Sequence, residues 1–496
     1  MSRIAARRAV VAIILGSLFV RVLLAGVTGL GYDESYTVGN ARQLLLGYVD
    51  HPPLHVWIAW LAQTALANDA ALVVRLPFIL LFSGSTWLIY RLTERLFGSA
   101  AGVWAVIVLN LAPVFSLAHA SWVLPDGPLL FFLLAAANAV ARILLDDAPP
   151  ARPVAWWVFA GALGGLALLS KYSAIFFFLA VFAYLLTVPS ARRQLATAGP
   201  WLGVLAALVV FAPAIVWNAE HGFAGFLFQG SRIVGGSVNA GRLVQEIGGQ
   251  LLYLTPWLAV PLGISLLAAL RAGRGAQRGW FLALLAIGPI AVFTLAALFA
   301  RSLPHWSMPG WLFAIPLFGR DAAALAMRRP TFARGYMAVA AGVFAVLLAA
   351  FAFQATQGSL VPKSIVAANP PADPTTDLID WRELREAMQA RGMLGPDAVV
   401  ASTHWLYAGK ASYALGAGVP VLCLCGDQQQ FAFRYDRSGW VGHDVVVVVP
   451  AHAGGAWARA SAYFDALEDL GSVNITRAGE TALSLELKLG RNLQFP

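Results

Sequence analysis

Residues 31–53 read GYDESYTVGNARQLLLGYVDHPP. The stretch follows an apolar run, residues 9–30, of about one membrane thickness. It sets Asp33 beside Glu34 and then adds Asp50, His51, Pro52 and Pro53. Two carboxylates and an Asp-His-Pro-Pro turn, placed directly after the first hydrophobic segment, mark a point where the chain meets water carrying charge that the membrane does not require.

The rest of the chain has the same apolar character. Of 496 residues, 59% are hydrophobic and 12% charged, with a mean hydropathy of +0.70. Soluble globular proteins are about 25% charged, so there is too little polar surface here to coat a water-soluble body. Eleven apolar runs read as membrane helices: 9–30, 70–90, 100–118, 127–145, 155–170, 172–188, 199–217, 251–270, 279–300, 308–325 and 335–355. Residues 54–67 form a shorter run that suits a helix lying at the interface. The N-terminus has a basic start, but its apolar run is long, carries Arg21 and lacks a small-x-small cleavage site. It reads as an uncleaved first helix.

The net charge of +9 would suit a nucleic-acid partner, yet the arginines sit in short clusters between apolar runs. With the N-terminus inside, the inner loops hold sixteen arginines, from Arg3, Arg7 and Arg8 to Arg328, Arg329 and Arg334. The outer side of the membrane region holds only Arg42, Arg75, Lys171, Arg232, Arg242 and Arg301. This is the bias that orients membrane proteins, and eleven spans then leave the C-terminus outside.

From about residue 360 the character changes. Prolines at 370 and 371 open a turn, a helix is expected from near Thr376, and DAVVAS, VPVLCLC and DVVVVVP read as short strands. The expected organisation is a polytopic α-helical region, 1–358, followed by a small extracytoplasmic α/β domain, 359–496. Cys423 and Cys425 are the only cysteines, too few for a disulfide framework. Their spacing suits one face of a strand better than a bridge.

The polar residues of interest gather at the outer ends of the spans: Asp33, Glu34, Asp50 and His51, then Asp126 in HASWVLPDGPLL, Lys171 in GLALLSKYSAIF, Arg232 and Arg242, and Arg301, His305 and Trp306 in ARSLPHWSMPGW. A transporter would place such groups near the bilayer midplane, on broken and pseudo-symmetric helices. A site at one surface can instead take one substrate from the lipid and another from the outer compartment. Read singly, each residue keeps a plain alternative: a helix end, a turn, a loop charge, or an interfacial tryptophan. Lys171 between two apolar runs is the hardest to explain without an anionic partner.

Taken in order, YDESY…LLLGYVDHPPL, LPDGPLLFF, GLALLSKYSAIF and LPHWSMPGWL resemble the bacterial GT-C membrane glycosyltransferases. The nearest likeness is to the protein-mannosyltransferase-like group that includes the lipid A aminoarabinose transferase. The resemblance implies a GT-C fold and transfer of a sugar from a polyprenyl-phosphate donor, with inversion, to lipid A, lipopolysaccharide, another glycan or a protein. This would occur on the periplasmic face of the inner membrane. It implies Asp33 as base or acceptor-orienting carboxylate, with Glu34 and Asp126 as its acidic companions. Lys171, Arg232 and Arg301 would meet the donor phosphate, and Tyr36, His51, His305 and Trp306 the substrates. No cofactor is required in this branch, although Asp33, Glu34 and Asp126 are of the type that holds a hard divalent cation. A polyprenyl-linked glycan flippase and a different outer-face glycan ligase are the competing readings.

Overall fold

The computed structural model describes residues 1–232, 235–362, 365–366 and 372–495. Among them, eight helices are long and apolar enough to cross a membrane: Arg3–Val27, Ala71–Phe97, Asp126–Leu144, Pro153–Ser170, Ala198–Glu220, Pro256–Gly275, Gln277–Ala296 and Pro330–Gln357. Two bent pairs, Ser99–Leu111 with Val114–Ser121 and Tyr172–Thr187 with Pro189–Ala196, raise the number to ten if each is one span. The expected count of eleven is therefore not confirmed. The remaining run, 308–325, does form a helix, Met308–Arg328. Arg320, Asp321, Pro309 and Pro316 make it less apolar than the others. Residues 54–67 give the short apolar helix Leu54–Leu66.

Small residues set the helix packing. Helices Pro153–Ser170 and Ala198–Glu220 meet at Gly161 and Gly165 on one side and Gly203 and Ala207 on the other. A Cβ at Gly161 would lie 1.9 Å from the Gly203 carbonyl oxygen, and one at Gly165 would lie 2.8 Å from the Ala207 oxygen. The four-residue spacing aligns these positions on one face of each helix, so the backbones can touch. Arg21 shows how the first span tolerates a charge. It is buried, donates to the Ser116 carbonyl (3.0 Å) and Asn110 Oδ1 (3.2 Å), and lies 4.4 Å from the Phe82 ring centroid. The carbonyl it meets belongs to a π-helical turn, Val114–Ala118, at the bend of the first broken pair.

After Gln357 the chain builds a five-stranded mixed sheet of β1 (Val400–Ser402), β2 (Val421–Cys423), β3 (Val445–Pro450), β4 (Ala466–Arg477) and β5 (Glu480–Arg491), in the order β2-β1-β3-β5-β4. β1 pairs in parallel with β2 and β3, and β5 runs antiparallel to both β3 and β4. The three expected strands form, and the central VVVVVP is buried along its whole length. The β4–β5 hairpin was not expected from the sequence. Two further expectations are corrected. The helix expected from Thr376 begins at Arg382, because Asp373 instead caps a 3-10 turn over Pro374–Leu378. Cys423 and Cys425 form a disulfide. β2 stops at Cys423 and the chain then bends, so the two Cα atoms lie 5.5 Å apart, closer than the roughly 6.6 Å of two residues in extended strand. The expected turn at Pro370 and Pro371 lies outside the described residues.

Candidate active site

The YDESY motif forms a nine-residue helix, Tyr32–Asn40, entered from the end of the first span. Helical geometry turns its two acids, one position apart, to different sides. Glu34 turns inward and is buried. Its oxygens accept from Arg75 Nε (2.8 Å) and Nη2 (2.5 Å), and from the backbone amides of Gly31 (2.9 Å) and Val123 (3.0 Å). Arg75, itself buried, also binds the carbonyls of Thr28 and Gly29. Glu34 thus ties the Tyr32–Asn40 helix to the Ala71–Phe97 helix and to the loop before Asp126.

Asp33 turns outward. Its carboxylate has no hydrogen bond or ion pair among the described residues. The residue is exposed at the surface, yet protein surrounds it at longer range. That setting lifts its pKa to about 7. Loss of hydration is the largest cause, followed by the negative charges of Asp377, Asp50 and Glu34, while Arg232 opposes them.

Asp50 is close enough for its charge to act on Asp33. Its carboxylate accepts from the Tyr36 hydroxyl (3.2 Å), and its pKa rises to about 6, chiefly through burial. The Tyr36 oxygen in turn accepts from the Gln430 amide at 2.8 Å. Tyr36 is buried, so its hydroxyl serves to hold Asp50 against the C-terminal domain. Arg232 is half-buried, 4.8 Å from the Phe228 ring and 5.7 Å from the Trp306 ring, and has no carboxylate in ion-pair contact among the described residues.

A second polar group adjoins the first. Asp126 opens the Asp126–Leu144 helix, and Lys171 ends the Pro153–Ser170 helix in an extended conformation. Lys171 Nζ reaches the two Asp126 oxygens at 2.9 and 3.1 Å, and both residues are buried. His119 Nε2 lies 3.8 Å from Asp126 Oδ1. His51 stands edge-on to His55, ring centroids 5.7 Å apart, and its Nδ1 has no partner. His305 packs beside Trp306, centroids 6.4 Å apart. Burial, followed by the neighbouring His55 ring and the Lys171 ammonium, holds His51 well below its ordinary pKa. Burial followed by Lys171 holds His305 down at about 3. Both rings are neutral at physiological pH.

Of the residues singled out in the sequence, Asp33, His51, Arg232, His305, Trp306, Asp126 and Lys171 gather in one region. Glu34 and Tyr36 lie behind it, with their polar atoms already engaged. Arg301 is exposed and makes no contact with the group among the described residues. Among those residues no three His, Cys, Asp or Glu side chains are arranged to hold a metal ion. Sequence reasoning missed Arg75, His55, His119, Asp377 and Lys410. Arg75 carried a signal, as a lone arginine in the apolar ALVVRLPF; the other four carried little.

Residues 50–217 match the family model described as dolichyl-phosphate-mannose-protein mannosyltransferase. The lipid A galacturonosyltransferase RgtD of Rhizobium johnstonii is 26% identical over 211 residues, 42% of this chain and 43% of that protein. The chain therefore matches less than half the length of this curated relative. Among solved structures, ArnT from Cupriavidus metallidurans is similar in its apo state, with a TM-score of 0.63 at 17% identity and 98% of each chain covered. The same protein bound to undecaprenyl phosphate gives 0.60 at 18%, with 97% of each covered. The Archaeoglobus fulgidus oligosaccharyltransferase gives 0.52 at 12%, covering 95% of this chain and 74% of that one. The fold is that of the GT-C membrane proteins. Within them, the likeness is to the ArnT and protein-mannosyltransferase branch, as the ordered motifs suggested.

Proposed function

We propose that the chain is an inverting glycosyltransferase, moving a sugar from a polyprenyl-phosphate donor to an acceptor at the outer face of a bacterial inner membrane. The observation that carries this reading is the division between the two neighbouring acids. Glu34 is locked by Arg75, while among the described residues the Asp33 carboxylate has no partner and stands near Arg232, a cation with no carboxylate in ion-pair contact. The likenesses to RgtD and ArnT support a lipid-linked donor. The arginine distribution supports a cytoplasmic N-terminus and a periplasmic C-terminal domain.

In this mechanism the acceptor hydroxyl oxygen attacks the anomeric carbon from the face opposite the phosphate. Asp33 takes its proton; a carboxylate with a pKa near 7 is well matched to the task. Where the acceptor is already an anion, Asp33 orients it instead. The carbon–oxygen bond to phosphate breaks, and its electron pair leaves with the phosphate oxygen. Arg232 faces that growing charge directly, and preorganised cations of this kind are often the largest catalytic contribution. Lys171 contributes through its pair with Asp126, and His51, His305 and Trp306 line the substrate path. Glu34 and Tyr36 act by positioning, the first fixing the Asp33 helix and the second fixing Asp50. Arg301 is placed to meet the donor headgroup only if the donor extends beyond the gathered group.

The test is release of free polyprenyl phosphate by the purified chain, given undecaprenyl-phosphate sugars together with an envelope lipid extract. Release that names a donor supports the reading. No release from any donor, accompanied by movement of the lipid-linked sugar across vesicles, would replace it with a flippase.

A further inference from the structure

The Asp33 helix is seated on the C-terminal domain as well as on the membrane region. Asp377, in the turn Pro374–Leu378, places Oδ1 2.6 Å from the backbone amide of Tyr32, the first residue of that helix. A first-turn helix amide, which has no intrahelical acceptor, is thereby capped by a carboxylate from a distant part of the chain, a favourable place for negative charge. Two glycines make room for the approach. A Cβ at Gly29 would lie 2.5 Å from the Leu378 oxygen, and one at Gly31 would lie 3.0 Å from Asp377 Oδ2.

The turn is firmly held. Asp373, fully buried, accepts from the Thr375 amide (2.9 Å) and pairs with Arg477 of β4 (2.7 Å) and with Gln354 of the last long helix (2.7 Å). Lys410, buried on the Trp405–Leu415 helix, donates its ammonium to the carbonyls of Asp377 (2.6 Å), Ile379 (2.9 Å) and Leu30. One lysine therefore joins the domain turn to the residue that leads into the Asp33 helix. Gly409, beside it, lets that helix approach Tyr36 to within 3.0 Å of a would-be Cβ.

We propose that Asp377 is a positioning residue for the transfer, capping the first turn of the Asp33 helix and setting, by its charge, the pH range in which Asp33 accepts a proton. The inference rests on the role of Asp33 given above. It makes the C-terminal domain part of the active site. The charged groups that bear on Asp33 are Asp377 from the domain, Asp50 from the first outer loop, Glu34 from its own helix and Arg232 from the later outer loop. Those that bear on Asp377 are Lys410, Glu34 and Arg75. Among the acids that bear most on Asp33, Asp377 is the one from the C-terminal domain.

The test needs no substrate. The full chain in lipid nanodiscs is titrated by infrared difference spectroscopy, and the carboxylic-acid band that vanishes in Asp33→Asn is followed. Asp377→Asn keeps an oxygen for the Tyr32 amide and removes the charge, so the Asp33 midpoint falls by roughly one pH unit. The exposed Asp397→Asn leaves it in place. If Asp377→Asn does not accumulate, Asp377→Ser keeps a capping oxygen and is read in the same way. An unchanged midpoint overturns the proposal, and so does the absence of any titrating Asp33 band. Turnover by Asp33→Asn tests the role of Asp33 separately, so the two readings can fail independently.

Discussion

Arg75, near the start of the Ala71–Phe97 helix, grips the buried Glu34 through two nitrogens, at 2.8 and 2.5 Å. One residue earlier, the Asp33 carboxylate has no hydrogen-bond or ion-pair partner among the described residues. Adjacent acids in the same motif thus have opposite surroundings, and their substitutions are expected to separate. Glu34→Gln leaves the Arg75 charge buried without its partner and is expected to cost about 3–5 kcal/mol of stability. Asp33→Asn removes a destabilised charge and is expected to leave unfolding unchanged or slightly later. Thermal unfolding of the two variants in the same detergent checks the contrast.

The Lys171–Asp126 pair makes a second prediction. Lys171→Met strands the Asp126 charge and lowers stability by about 3–5 kcal/mol. Adding Asp126→Leu to it recovers most of that loss, because an apolar pair of similar size removes both desolvated charges together. Activity does not return in the double variant if Lys171 helps to stabilise the departing phosphate. Unfolding and turnover measured on the same preparations would show the two properties diverging.

Activity should depend on pH through Asp33. Its carboxyl group has a pKa of about 7, well above the ordinary value, and only the ionised form can take a proton. Turnover is therefore lost as pH falls through about 7. Arg232 favours the ionised form, so Arg232→Gln moves this limb to higher pH. A pH–rate profile of the two proteins reads both the limb and its direction.

In the proposed mechanism Arg232 also faces the leaving group. Arg232→Gln should lower kcat by roughly a hundredfold at saturating donor, the usual consequence of losing one preorganised charge contact. A rise in donor KM alone, with kcat unchanged, would assign Arg232 to ground-state binding instead.

Much of the fold could be read in the sequence because hydrophobic run length is a direct physical signal. All eleven apolar runs became helices, and VVVVVP became a buried strand. What failed to read depended on tertiary contacts. The β4–β5 hairpin has a mixed, half-exposed pattern, and the 3-10 turn at Pro374 needed the cap of Asp373. The Cys423–Cys425 bridge needed a strand that stops after three residues. At the candidate site, residue type and order singled out Asp33, Asp126 and Lys171, which the fold brings into one region. They could not show that Glu34 is spent on Arg75, that Tyr36 holds Asp50, or that Lys410 and Asp377 reach the Asp33 helix from several hundred residues downstream.

The proposed transfer gives Asp33 the part of its working carboxylate. The most direct test is the release of polyprenyl phosphate by purified wild-type and Asp33→Asn protein, with undecaprenyl-phosphate galacturonic acid and undecaprenyl-phosphate aminoarabinose as donors and an envelope lipid extract as acceptor. The expected result is release by the wild type that disappears in a stably folded Asp33→Asn. Equal release by both proteins would contradict it.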